Sequence, residues 1–414
     1  VLVEMRVRAA GPAGAAAGSG GLPGFAPDPD YAPVPVPRAG RGAAAAADER
    51  VVVVRGTLEE GGEEALRRDP RVVAVWSDAR IEGFAGPCGT PDCNNRPLGA
   101  KGDLSGLAPY LGADRLWAEG IRGRGIVVAI VDGGVRRADV PALLDGWAPE
   151  GALPWGEADP RDEHGTMCAI DALAVCPEAG ILDVGILKSP GDTAGLLSDA
   201  IAAYRWAIER RASDGSPHVL SNSWGMYMES WGPDYARDPD HPFTRVVLEA
   251  IGAGILVAFA AGNCGGQCMF PDRRCGSDLG PGRGIWGANG HPLVLTVGAA
   301  NMRDEWVGYS SEGPAALDDR KPDVCAPSHF AGYTRNDSGT SAATPVAAGA
   351  LALLAQAVPG VRQAEAKAAL EETARDICAP GWDPQSGHGV IRVDAALARL
   401  REARVPRAAE AVPR

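Results

Sequence analysis

Four polar residues stand at the ends of apolar runs in this sequence. Asp132 follows Ile126-Val127-Val128-Ala129-Ile130-Val131, and His164 opens the run His164-Gly165-Thr166-Met167-Cys168-Ala169. Asn263 closes Ala260-Ala261-Gly262-Asn263, and Ser341 follows the turn Ser338-Gly339-Thr340 ahead of an Ala-, Val- and Leu-rich stretch to Leu354. Each has a plain structural reading. Asp132 can end a strand in an Asx turn, His164 can be a helix-end residue, Asn263 can fill a left-handed turn, and Ser341 can cap a helix. Each also has a chemical reading. A carboxylate, an imidazole, an amide and a hydroxyl are the orienting acid, general base, oxyanion donor and nucleophile of acyl transfer. At a helix N-terminus, Ser341 would sit among unpaired backbone N–H groups and the positive end of the dipole, which favour developing negative charge. Pro345 is tolerated there if it falls in the first turn. With six histidines in the chain, few groups can serve as a base near neutral pH.

The elements that must hold these groups alternate as strands and helices. Strands are expected at Ile126 to Val131, Ile181 to Leu187, Val219 to Ser223, Ile255 to Ala261 and Leu293 to Val297. Helices are expected at Thr166 to Val175, Thr193 to Arg211, Pro242 to Ala253, Thr344 to Ala357, Gln363 to Asp376 and Val393 to Ala403. That alternation predicts an α/β fold: a doubly wound, mostly parallel sheet with helices on both faces. Continuous apolar strands fit sheets covered on both sides, and functional groups in such folds gather beyond the carboxyl ends of strands. Ahead of this domain, Leu2 to Val7, Val51 to Val54 and Val72 to Trp76 read as strands and Leu58 to Arg68 as a helix, a small α/β unit. The Ala-, Gly- and Pro-rich residues 9–48 read as a linker or disordered insert. We therefore divide the chain into residues 1–82, a linker at 83–107, the main domain at 108–403 and a frayed tail at 404–414.

Length and composition set further bounds. The 414 residues suffice for one large core and a smaller domain. A net charge of -13 argues against nucleic acid as a partner. No apolar run reads as a membrane span, and the chain's start does not read as a secretory signal, so the compartment stays open. Nine cysteines leave at least one without an intramolecular partner. Cys264, Cys268 and Cys275 cluster after Asn263 without a nearby histidine or paired C-x2-C spacing, so zinc is disfavoured. Disulfides Cys268–Cys275 and Cys88–Cys93 are the preferred reading for an oxidising compartment.

The chain order Asp, His, Ser and the motifs around it resemble the subtilisin-like (S8) serine peptidases from about Tyr110 to Leu397. Val131-Asp132-Gly133 is similar to the family's Asp-Thr/Ser-Gly motif, with Gly133 as a departure. His164-Gly165-Thr166 matches the His motif, and Gly339-Thr340-Ser341 with Thr344-Pro345 resembles the Ser motif. Ser223-Trp224-Gly225, Thr296-Val297-Gly298-Ala299, Tyr309-Ser310-Ser311-Glu312-Gly313-Pro314, Lys321-Pro322-Asp323 and Gly387-His388-Gly389-Val390 agree in order. Met167 and Ile170 depart from the usual His motif and imply different packing behind the triad. Cys168 stands where the proteinase K-like branch carries a free cysteine; a small buried apolar residue is the preferred reading.

The resemblance implies a serine endopeptidase acting on proteins or peptides, with catalytic Asp132, His164 and Ser341 and oxyanion donor Asn263. It places substrate along Ser223, Trp224, Gly225, Ala261 and Gly262, paired as an added strand. It requires no cofactor and no catalytic metal; structural calcium is frequent in the family, yet no aspartate-rich loop stands out. Residues 51–82 resemble the family's inhibitory propeptide, with a ferredoxin-like fold, acting in cis and cut somewhere in Gly83 to Leu107. Two alternatives remain: a peptide maturase or macrocyclase on the same scaffold, and an inactive binding protein.

Overall fold

The computed structural model describes residues 1–8, 21–39, 49–84, 99–158, 164–189, 192–268 and 271–404. In chain order the N-terminal elements are β1 (Leu2–Arg8), β2 (Phe25–Pro27), β3 (Val34–Pro35), β4 (Glu49–Leu58), α1 (Gly62–Arg68), β5 (Val72–Trp76) and β6 (Arg80–Gly83). Then come α2 (Leu104–Leu111), α3 (Ala113–Ala118), β7 (Val127–Asp132), β8 (Leu143–Trp147), α4 (His164–Val175), β9 (Gly180–Gly185), β10 (Leu187–Ser189), β11 (Asp192–Leu196) and α5 (Leu197–Asp214). The rest are β12 (Val219–Asn222), β13 (Trp224–Gly225), α6 (Pro233–Arg237), α7 (Pro242–Gly252), β14 (Leu256–Ala260), β15 (Leu295–Ala300), β16 (Val324–Pro327), α8 (Gly339–Ala357), α9 (Gln363–Thr373) and α10 (Val393–Arg404).

The central sheet has seven strands in the order β16-β15-β14-β12-β7-β9-β8, all pairs parallel. Alternation along β7 feeds two cores. Val128 and Ile130 face the cluster built on α4 and α8, while Ala129 and Val131 face the one built on α5 and α7. Both faces are dry, which is why the strand sequences are uniformly apolar. The fold class is thus the expected one, α/β with helices on both faces. Helix α8 has 19 residues and is apolar enough to span a bilayer by composition, but 83% of its apolar window is buried inside this fold.

Several expected boundaries move. Thr193 to Arg211 is not one helix: Asp192–Leu196 is a strand, and the helix begins at Leu197. Strands β8 and β16 were not anticipated, because their short segments lack a long apolar run. Residues 21–39, expected as part of a disordered insert, carry β2 and β3 on β4 and bury Phe25, Tyr31, Val34 and Val36. The stretch read as a linker contains the end of β6 and the first half of α2. The N-terminal sheet runs β2-β4-β1-β5 with β3 also on β4. Val52 and Val54 face its own small core, whereas Val51 and Val53 face the core under α5.

Candidate active site

The carboxyl end of β7 carries Asp132, whose Oδ1 accepts from the Gly133 N–H at 2.7 Å and lies 2.7 Å from His164 Nδ1. His164 starts α4, and this helix end is pressed against the turn after Asp132: a Cβ on Gly165 would collide with the Gly134 carbonyl. Gly134 itself has φ +119, a conformation that favours glycine. Asp132 and His164 are 1% and 7% exposed, so the imidazole is fixed against the carboxylate away from bulk water.

Ser341 lies in the first turn of α8, which begins at Gly339 rather than at the expected Thr344. Pro345 is therefore in the second turn, where it removes the N–H that would bond the carbonyl four residues back. That carbonyl is Ser341's own. It accepts instead from Ser223 Oγ at 3.0 Å and Cys168 Sγ at 3.5 Å, while Ser341 Oγ donates to the Ser223 carbonyl at 3.2 Å. The proline thus frees a carbonyl that ties the serine's backbone to β12's end and to α4. Cys168 Sγ also lies 3.9 Å from Asp132 Oδ2. Asp132, His164 and Cys168 offer ligand atoms within 4.8 Å of one another, but burial, then the Asp132 charge, hold the thiol well above its usual pKa.

Asn263 follows β14. Its Oδ1 accepts from the N–H and hydroxyl of Thr340, each at 3.0 Å, which fixes the amide so that Nδ2 points outward. Nδ2 donates to the carbonyl of Phe84. The expected substrate-binding residues gather around the same segment. β6 pairs antiparallel with β13 on one side (Trp224↔Gly83, Gly225↔Glu82) and with β11 on the other (Ala194↔Glu82, Gly195↔Ile81). The Phe84 N–H donates to the Ser223 carbonyl at 3.0 Å. A Cβ on Gly225 would stand 2.6 Å from the tip of the Phe84 ring, so this glycine makes room for it; one on Gly262 would only touch the ring at 3.4 Å and would instead meet the Gly284 carbonyl and Ser311 Oγ at 2.9 Å. Ala261 is fully buried in a separate small cluster with Ile285 and Ala315, beside the pocket rather than against the ring.

Trp224 lines the segment through its backbone only. Its backbone pairs with Gly83, but its indole packs against Phe243 and Phe259 in the core, because successive strand side chains point to opposite faces. The Phe84 ring meets Tyr227 edge to face at 5.1 Å, beside Ala260, Cys264 and Cys275. Asn289 joins the pocket's two strands by donating to the Trp224 carbonyl at 2.8 Å and the Ala260 carbonyl at 3.0 Å. Nothing in the sequence around Tyr227 or Asn289 marked them. The disulfide pairs Cys264 with Cys275, not Cys268 with Cys275, and Cys268 is itself disulfide-bonded. Cys88–Cys93 lies outside the described residues.

A doubly wound sheet that sets an acid against a base, a serine in the first turn of a helix and an amide on a peptide carbonyl carries the groups of a serine-type hydrolase of peptide bonds. The model of the subtilase family, Peptidase_S8, matches residues 123–389. Serine protease AprX of Bacillus subtilis (strain 168) is 29% identical over 292 residues, 61% of this chain and 61% of that protein. A subtilisin of Bacillus pumilus is 30% identical over 295 residues, 69% of this chain and 95% of that protein. Fervidolysin from Fervidobacterium pennivorans, a keratinolytic enzyme related to subtilisin, shares the fold with a TM-score of 0.61 at 19% identity, over 96% of this chain and 61% of that one. The chain belongs to the subtilase family, whose class is that of serine-type endopeptidases.

Proposed function

We propose that this chain is an endopeptidase made as a zymogen, and that it cuts itself on the carboxyl side of Phe84. Ser341 attacks the Phe84 carbonyl carbon while His164 takes the hydroxyl proton. Asp132 holds the imidazole with Nδ1–H toward it and stabilises the imidazolium that forms. The developing oxyanion is met by Asn263 Nδ2 and by the N-terminal end of α8. His164 then protonates the departing amine, and water resolves the acyl-enzyme by the reverse sequence. The chemistry calls for no metal or cofactor.

The observation that carries this reading is the position of Phe84. Its carbonyl accepts from Asn263, its ring fills a space opened by Gly225, and the residues before it run as a strand between β11 and β13. That is the pose of a substrate, supplied by the protein's own chain. Residues 1–84 would then remain docked as an inhibitor, and aromatic residues would be preferred before the cleaved bond in other substrates.

Wild type and Ser341→Ala, expressed side by side, test this. The wild type is expected to yield a new N-terminus at Ala85, and the variant to stay intact. An active wild type with residues 1–84 still covalently attached would overturn the zymogen reading. Mass analysis of the released products also separates hydrolysis from ligation, since an amine resolving the acyl-enzyme would leave products lacking the added water.

A further inference from the structure

Glu82 is the third residue back from the carbonyl that Asn263 holds, and it is a carboxylate with only 4% exposure. Such burial is costly unless opposite charge meets it. Two guanidinium groups do. Arg80 Nε, in the same strand, donates to Oε1 at 2.5 Å, and Arg274 Nη1, from the body of the enzyme, donates to Oε2 at 3.2 Å. Arg274 is held in place independently of the strand. Its Nε and Nη2 grip the Asp272 carboxylate at 3.0 and 2.6 Å, and its plane lies 4.1 Å over the Tyr227 ring. The fork on Asp272 leaves Nη1 aimed at β6, where it also reaches the Gly83 carbonyl at 3.3 Å. The short 3-10 turn bearing Arg274 ends at Cys275, which the disulfide ties to Cys264 beside Asn263.

We propose that Arg274 is a specificity-determining residue that selects substrates with an acidic side chain two positions before the residue whose carbonyl is attacked. The proposal rests on the peptidase reading above and deepens it. The Gly83 carbonyl contact is open to any peptide, because every peptide has a backbone there. The Glu82 contact is open only to an acid. A neutral side chain forfeits it, and a cation would be desolvated against a guanidinium that cannot lose its charge. Tyr227 links the two preferences: one edge of its environment is the Phe84 ring, its face carries Arg274, and its hydroxyl donates to the Gly83 carbonyl at 3.1 Å. Acidic residue and aromatic residue are thus read by one connected wall.

The test uses the processed enzyme and fluorogenic octapeptides spanning residues 79–86, with Glu, Gln or Lys at the position of Glu82. Alanine replaces Arg80 in all of them, which removes the strand's own partner. Wild type is expected to favour Glu over Gln by about tenfold in kcat/KM, the scale of a charge-assisted hydrogen bond discounted for partial exposure. The preference should shrink as salt rises. In Arg274→Gln the Glu-to-Gln ratio should fall to near one, and Arg274→Glu should favour Lys over Glu. Ratios within one enzyme cancel any general loss of activity. Equal Glu-to-Gln ratios in wild type and Arg274→Gln would overturn the proposal and leave the peptidase reading standing. Failure to cut any of the peptides after Phe would overturn both.

Discussion

Buried charge is handled differently in two regions of this protein. Between the N-terminal sheet and helices α5 to α7, opposite charges sit on opposite sides of the contact. Glu4 in β1 pairs with Arg245 in α7 at 2.6 Å, the two side chains being 1% and 6% exposed. Arg55 in β4 reaches Asp199 in α5 at 3.2 Å as well as Asp28 on its own side. In the central sheet, buried carboxylates find their partners within the same body. Asp323 is held by Lys321 at 2.7 Å and Lys367 at 2.5 Å, and Asp183 in β9 accepts from the Gly156 N–H at 2.8 Å. A pair split across a contact regains its hydration when the two sides separate, which offsets the lost attraction. A pair inside one body has no such exit short of unfolding. Charge pairing therefore lets the first region part more readily than the second, as the proposed cut after Phe84 would require.

The largest effect should come from Ser341, the proposed nucleophile. Ser341→Ala is expected to lower turnover about 10⁶-fold, the scale known for removing the nucleophile of a subtilisin-type triad. It should leave the fold intact, since the methyl fits the space of the hydroxymethyl. Peptide hydrolysis by the purified variant checks this, and retention of a substantial fraction of wild-type turnover would remove Ser341 from its role.

The same variant, being uncut, allows the split pair to be broken in isolation. Glu4→Ala in the Ser341→Ala background leaves Arg245 buried without its partner and should weaken the contact by about 3–5 kcal/mol. Hydrogen exchange in β4 reads this directly: its amides should exchange faster while those of β14 stay slow. If β14 loosens equally, the two regions are one cooperative unit and the contrast drawn above fails. A milder loss is expected within the site. Asn263→Ala should cost about 10²–10³ in turnover, or about 2.7–4 kcal/mol, the scale of a single oxyanion donor. Unchanged single-turnover kinetics in that variant would make Asn263 a turn residue only.

How much of this was legible in the sequence depended on range. The central sheet was, because β7, β12 and β14 are apolar on both faces and their signal is local. Asp132, His164, Asn263 and Ser341 could be singled out as candidates, because each lies at one end of an apolar strand or helix. Phe84, Tyr227, Asn289 and Arg274 could not. Their roles arise from pairing across the chain: Phe84 reaches Asn263 over 179 residues, and Arg274 reaches Glu82 over 192. Residues 21–39 were misread for a related reason. Their composition is that of a loop, and only the edge of β4 makes Phe25–Pro27 and Val34–Pro35 into strands. The direction of the Trp224 indole was not legible, because sequence cannot say which face of a two-residue strand a side chain takes.

The smallest expected effect tests the other side of the contrast, a carboxylate that stays inside one body. Asp183 is 1% exposed and, among the described residues, takes only backbone donors, and its burial raises its pKa to about 6, above the usual value of 3.8. A folded pKa above the unfolded one means that the protonated form is favoured by folding. The resulting stabilisation is complete below about pH 4 and is lost as pH rises through about 6, a total of about 3 kcal/mol for a shift of about two units. Asp183→Asn carries no such titration. In the Ser341→Ala background, which prevents self-digestion, thermal unfolding of the two forms should therefore diverge with pH. The asparagine variant should gain on the parent between pH 4 and pH 7, and the gap should level off above that. Curves that stay parallel across this range would mean that Asp183 ionises as a solvated carboxylate does, and that the central sheet relieves its buried charge by a route other than protonation.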